Sequence, residues 1–251
     1  MKSDKTEEYF EAKVRNLILS VERDYYPKFT FFLDGRQKRL ADEILRKEHC
    51  SNYRYEGGFD GAERMMLGVY PDYLSEEELS FPIKLICFRY PKQFSLSHRD
   101  FLGSLMSFQV KREVVGDIVV GEGIAVVAVE EAIAPYLLDN VKKIGRIGVE
   151  AELTEHSPIE KKQEFLEIGG TVASLRLDCV LALLTKLSRT KTVELLQSGR
   201  VCVNFIETDS PSLLVKPKDM ISVRGYGKYL ISEEMRLTKK DRLYLTAYQY
   251  L

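Results

Sequence analysis

The chain has 251 residues, 45% of them apolar and 30% charged, with 37 Lys+Arg against 38 Asp+Glu. That composition excludes a disordered chain and suits one large domain or two to three small ones. There is no apolar run long enough to cross a bilayer, no signal-peptide core in Met1–Glu8 and no C-x-x-C pair among the four cysteines, Cys50, Cys87, Cys179 and Cys202. The expectation is a reduced, cytoplasmic protein without membrane, metal or cofactor.

In chain order, helical spacing of Val14, Leu17, Ile18 and Val21 predicts a helix over Thr6–Asp24, broken by Pro27. A second helix is predicted over Gly35–Lys47, with Leu40, Ile44 and Leu45 on its buried side. Tyr53–Gly58 and Met65–Val69 read as extended, and a polar connector closes a first unit, residues 1–79.

The second unit, residues 80–165, reads strand Ile83–Phe88, helix His98–Phe108 capped by Ser97, then strands Asp117–Val120 and Ile124–Val129 around Gly121-Glu122-Gly123. Helix Glu131–Val141 and strand Arg146–Leu153 complete a βαββαβ order, that of a ferredoxin-like sandwich with two helices on one face of a four-stranded sheet. The polar stretch Thr154–Glu167 reads as a linker. The fold class is therefore α+β, in three small domains.

The third unit, residues 170–251, carries the charge signal. Ser174–Leu251 holds 13 Lys+Arg against 8 Asp+Glu, leaving 24 against 30 for the preceding residues. A near-neutral chain with a basic end can hold a polyanion there without being generally adhesive. Leu177, Val180, Leu181 and Leu184 form one helical stripe; Ser188 is placed to cap a second helix, Arg189–Gln197, burying Val193 and Leu196; Gly199 stands at its C′ position. Arg189 and Lys191 then lie at a helix start and Arg200 past its end, where phosphates meet side chains and backbone N–H groups together. Strand character resumes over Val215–Val223, and Arg224-Gly225-Tyr226-Gly227-Lys228 adds a basic turn.

Arg176-Leu177-Asp178, Leu187-Ser188-Arg189 and Ser198-Gly199-Arg200-Val201-Cys202-Val203-Asn204 resemble the RNA-binding domain of ribosomal protein S-four, the αL motif. Two positions depart from it: Phe205 and Lys218 stand where the pattern has glycine. Gly57-Gly58-Phe59, Ala62-Glu63-Arg64, His98-Arg99-Asp100-Phe101-Leu102-Gly103, Lys111-Arg112-Glu113, Gly116-Asp117-Ile118 and Val223-Arg224-Gly225-Tyr226-Gly227 extend the resemblance, over nearly the whole length, to the bacterial YlmH family. The resemblance implies a middle domain like RNA-recognition folds, association with the large ribosomal subunit, and a part in rescuing stalled peptidyl-tRNA complexes.

Enzyme look-alikes fail on context. His98-Arg99-Asp100 lacks the Asp-Phe-Gly and glycine-rich loop of a kinase. Lys186-Leu187-Ser188-Arg189 lacks the partner motif of a class I synthetase, and no G-x-G-x-x-G follows a predicted strand. The expectation is a non-catalytic, monomeric protein that binds structured rRNA or tRNA. Its contacts would come from Arg176, Lys186, Ser188, Arg189, Thr190, Lys191, Ser198, Gly199, Arg200, Asn204, Arg224 and Lys228. Arg99, Lys111 and Arg112 would form a second RNA contact. An RNA-modifying enzyme and a cell-division scaffold are the alternatives.

Overall fold

A computed structural model describes residues 2–160, 165–237 and 243–250. It separates into two compact units, Met1–Lys161 and Lys162–Leu251.

In the first unit, helix α1 (Lys2–Asp24) buries Val14, Ile18 and Val21 and stops before Tyr25, whose φ of 51° is left-handed. Strand β1 (Lys28–Phe29) follows. Helix α2 (Gly35–Lys47) starts on a capping box between Asp34 and Gln37. It buries Ala41, Ile44 and Leu45, whereas Leu40, expected inside, is only half-buried. Strands β2 (Tyr53–Glu56) and β3 (Met66–Val69) join β1 in an antiparallel sheet of order β1-β3-β2.

Strand β4 (Ile83–Arg89), helix α3 (His98–Ser107), strands β5 (Val115–Gly121) and β6 (Ile124–Glu130), and helix α4 (Ala134–Asn140) follow. A two-residue-per-arm hairpin, β7 (Lys143–Ile144) and β8 (Ile147–Gly148), precedes β9 (Glu150–Thr154). The sheet order β5-β6-β4-β9, antiparallel throughout, is that of the expected ferredoxin-like βαββαβ arrangement. Two details differ from expectation. Residues 131–133 form a 3₁₀ turn before α4, and the strand expected over 146–153 is interrupted because Gly145, at φ 58°, turns the chain into the small hairpin.

Both faces of this sheet are covered. Ile86, Phe88, Val127 and Val129 face Phe101, Leu105 and Leu137 from the helices. On the other side Leu85, Cys87, Val126 and Ala128 pack against Phe32 and Met66 from the preceding segment. Burial on two faces explains why β4 and β6 read as continuous apolar runs rather than alternating ones. The junction is polar as well as apolar. Asp117, almost fully buried, accepts the amides of Glu63 (2.7 Å) and Arg64 (3.3 Å), and the Arg64 guanidinium donates to the carbonyls of Val115 (3.1 Å) and Phe32 (2.9 Å). The expected first and second domains thus share one compact unit.

In the second unit, β10 (Phe165–Val172) begins inside the expected linker, whose residues 161–164 lie outside the described residues. Helices α5 (Leu177–Thr185) and α6 (Arg189–Gln197) precede β11 (Val201–Val203), β12 (Ile206–Glu207), β13 (Met220–Val223), β14 (Gly227–Leu237) and β15 (Leu243–Tyr250). The six strands pair in the order β10-β15-β14-β13-β11-β12. Leu177, Val180, Leu181 and Leu184 of α5, with Leu195 and Leu196 of α6, pack on Val201, Ile221, Val223, Tyr229, Ile231, Leu245 and Ala247. Val193, expected inside, is half-buried; Thr192 takes its place, fully buried.

Candidate nucleic-acid interface

Helix α5 begins without a side-chain cap, because Arg176 offers no acceptor. Its first amides go instead to the later segment 211–213: Leu177 N to Leu213 O (2.8 Å) and Asp178 N to Pro211 O (3.2 Å). Asp178 sits in the first turn, where a negative charge meets the helix dipole favourably. Its carboxylate, 7% exposed, accepts Arg176 Nε (3.1 Å), Arg189 Nη2 (2.9 Å) and the Cys179 amide (3.0 Å). Burial pushes this carboxyl up, but the hydrogen bonds and charges of the two guanidiniums outweigh that and hold it below the usual carboxylate range. Reciprocally, the Asp178 bond raises Arg189 above its ordinary value.

Asp178 therefore fixes two arginines from adjacent helices while leaving them 43% and 61% exposed. A guanidinium has five donors in a fixed fork, so each keeps N–H groups for a second anion. The α5–α6 corner is locked further by the buried Thr192 hydroxyl, which donates to Arg189 O (2.8 Å) and lies 3.3 Å from Asp178 O.

Between the helices Lys186 adopts the left-handed conformation (φ 57°) and is exposed. Ser188 caps α6 by accepting the Lys191 amide at 3.4 Å, as expected, and Ser188, Arg189, Thr190 and Lys191 are all exposed at that helix start. At the other end Ser198 donates to Leu195 O (2.9 Å), and Gly199 turns the chain at φ 65°. A Cβ at Gly199 would meet the Glu207 carboxylate at 2.7 Å, so the glycine serves conformation and space alike. Arg200 Nη2 donates to Arg224 O (2.8 Å) and the Arg224 amide to Arg200 O (2.9 Å), joining the end of α6 to the β13–β14 turn. Lys228, at the start of β14, places Nζ 4.8 Å from the Tyr250 ring centroid and 5.8 Å from that of Phe205.

Two of the expected contact residues are engaged within the chain. Asn204 is a brace: its amide donates to Asp219 Oδ1 (2.7 Å) and accepts the Met220 amide (2.9 Å), so its polar groups hold the β11–β12 turn. Arg112 turns inward and donates to the carbonyls of Val115 and Gly116; burial, then the nearby Arg64 charge, lowers it to about 10. Of the second expected cluster, Arg99 and Lys111 remain exposed. The covered sheet face also removes the familiar mode in which central strands of such a fold stack bases.

The two glycine departures resolve in the same way. Phe205 (φ 67°) and Lys218 (φ 66°) are both left-handed, so the backbone keeps the turn that glycine would make without strain. Among the described residues no group of three or more His, Cys, Asp or Glu is placed to hold a metal ion, and no helix is long and apolar enough to cross a membrane.

Residues 76–158 match a family model described as "Putative RNA-binding domain in YlmH". The chain is 33% identical over 228 residues to the "Ribosome-associated protein quality control protein P2" of Bacillus subtilis (strain 168), covering 90% of this chain and 88% of that one. It is also similar to the solved structure of the "Cell division protein ylmH" from Streptococcus pneumoniae. There the identity is 25% and the TM-score 0.50, over 59% of this chain and 91% of that one.

Proposed function

The chain belongs to the YlmH family, and from that premise we propose that it is a non-catalytic RNA-binding protein acting on the large ribosomal subunit. The observation that carries this reading is the Asp178 anchor. One buried carboxylate presets Arg176 and Arg189 at the meeting of two short helices, beside exposed Lys186 and Lys191 and the first amides of α6. Preset guanidiniums lose little conformational freedom on binding, and helix-start amides add donors for phosphate oxygens. Arg200, Arg224 and Lys228 continue the positive surface beyond the far end of α6. Such contacts fix orientation on a folded RNA without reading its sequence, which suits an rRNA helix or a tRNA.

The ribosome-associated quality-control name of the Bacillus relative supports the finer reading, engagement of large subunits that hold stalled peptidyl-tRNA. Gradient fractionation of lysate at two salt concentrations tests it. The chain is expected to travel with large subunits at low salt and to leave them at high salt. Sedimentation at the top of the gradient at both concentrations would sink the ribosomal assignment.

A further inference from the structure

The second unit's sheet has an outer face that the helices do not touch. Alternation puts Val201, Ile221, Tyr229 and Ala247 inward, so Cys202, Ser222, Lys228, Tyr248 and Tyr250 point outward. Register aligns them into a row: Cys202 opposite Ser222, Ser222 opposite Lys228, and Tyr250 opposite Phe165. Lys228 precedes Tyr229, whose partner is Gln249, so Lys228 lies beside Tyr250 and the row crosses five strands. Its aromatic end is ordered. Phe165 and Tyr250 meet edge-on at 4.9 Å between centroids, Tyr248 joins at 6.3 Å, and the Lys228 ammonium stands 4.8 Å from the Tyr250 ring. Phe165 is nevertheless 44% exposed.

We propose that this end of the outer sheet face receives unpaired nucleotides of the same RNA whose helical part sits on α5 and α6; the inference rests on the RNA-binding reading. The charge pattern selects this occupant. Arg200 and Arg224, tied to each other at the β13–β14 turn, lie between the α6 end and Lys228, so cations lead from the helical surface onto the aromatic row. A strand following them would keep its phosphates on Arg224 and Lys228 and lay bases against Tyr250 and Phe165, the combination of basic track and aromatic platform that single strands use. The path ends where the carboxylates begin: Glu167, Glu233 and Glu234 line an open cleft of about 790 Å³ that adjoins the aromatic end at Tyr248, with Glu233 and Glu234 already paired to Lys218 and Arg236. The platform therefore takes one or two bases. Stacking rather than base-edge readout makes it tolerant of sequence.

The test uses the full chain, a blunt hairpin RNA and the same hairpin with a single-stranded oligoadenosine tail. The tail is expected to tighten binding about tenfold, and Phe165→Leu with Tyr250→Leu to abolish that gain while leaving blunt-hairpin affinity unchanged. Should the double variant fail to fold, Phe165→Leu alone, at the exposed strand edge, is expected to remove about a threefold part of the gain. A tail that adds nothing to wild-type binding, or a gain that survives these variants, overturns the inference while leaving hairpin binding intact. A wild-type chain that binds neither RNA overturns both readings. Sedimentation velocity showing a dimer that the same variants dissolve would assign the face to a second copy, and overturns the inference too.

Discussion

Replacing Asp178 with Asn isolates the device on which the site depends. Asn keeps the size and the acceptor for the Cys179 amide but loses the charge that holds Arg176 and Arg189. Both arginines can turn to water, since they are substantially exposed, so no buried cation is stranded and the full penalty for breaking a buried pair does not apply. What is lost is a set of charge-assisted bonds on a well-buried carboxylate, about 2 kcal/mol. Urea unfolding of the two proteins by circular dichroism at pH 7 reads that difference. The sign of its pH dependence is fixed. Asp178 titrates lower in the folded chain than in the unfolded one, so its stabilisation is complete above the unfolded value of about 4 and fades as pH falls through the folded value. The wild-type and Asp178→Asn curves are expected to converge there. Equal stability at pH 7, or a gap that persists in strong acid, would refute the argument.

Other consequences are equally concrete. Lys218→Gly relieves a left-handed lysine at φ 66° and is expected to raise stability by about 0.5–1 kcal/mol in the same urea assay, the relief exceeding the added unfolded-state entropy. An unchanged or lowered midpoint would contradict this. Gly116→Ala places a Cβ 2.6 Å from the buried Phe32 ring and is expected to cost about 1–3 kcal/mol through the junction inside the first unit. A neutral thermal melt for that variant would show the junction looser than described.

The sequence was most legible where one periodicity governed burial. The α5 stripe Leu177, Val180, Leu181, Leu184 is buried as its spacing predicts, and α2 spans the predicted residues. The βαββαβ order was readable because strands and helices alternate with clear turns. Long-range pairing was not. Nothing local announces that Asp117 will accept the amides of Glu63 and Arg64, or that Phe32 will cover the β4–β6 face. Arg112 looked like a surface cation because a guanidinium turned onto backbone carbonyls leaves no mark in sequence. Strand β10 was hidden because the polar stretch Thr154–Glu167 read as a linker running into its first residues. In the fold a Cβ at Gly170 would meet Leu183 at 2.3 Å, so the glycine lets the helix approach. The alternation Leu243, Leu245, Ala247 was a usable strand signal, and with it the outward Tyr248 and Tyr250 could have been found.

The proposed function places cations at the start of α6 against RNA phosphates. Its most direct test is the slope of log affinity against log salt concentration for the full chain and a structured hairpin RNA, measured for wild type and for Arg189→Ala with Lys191→Ala. The variant is expected to bind more weakly and to lose about two units of slope, one for each released phosphate contact. Weaker binding with an unchanged slope would contradict phosphate contact at that helix end.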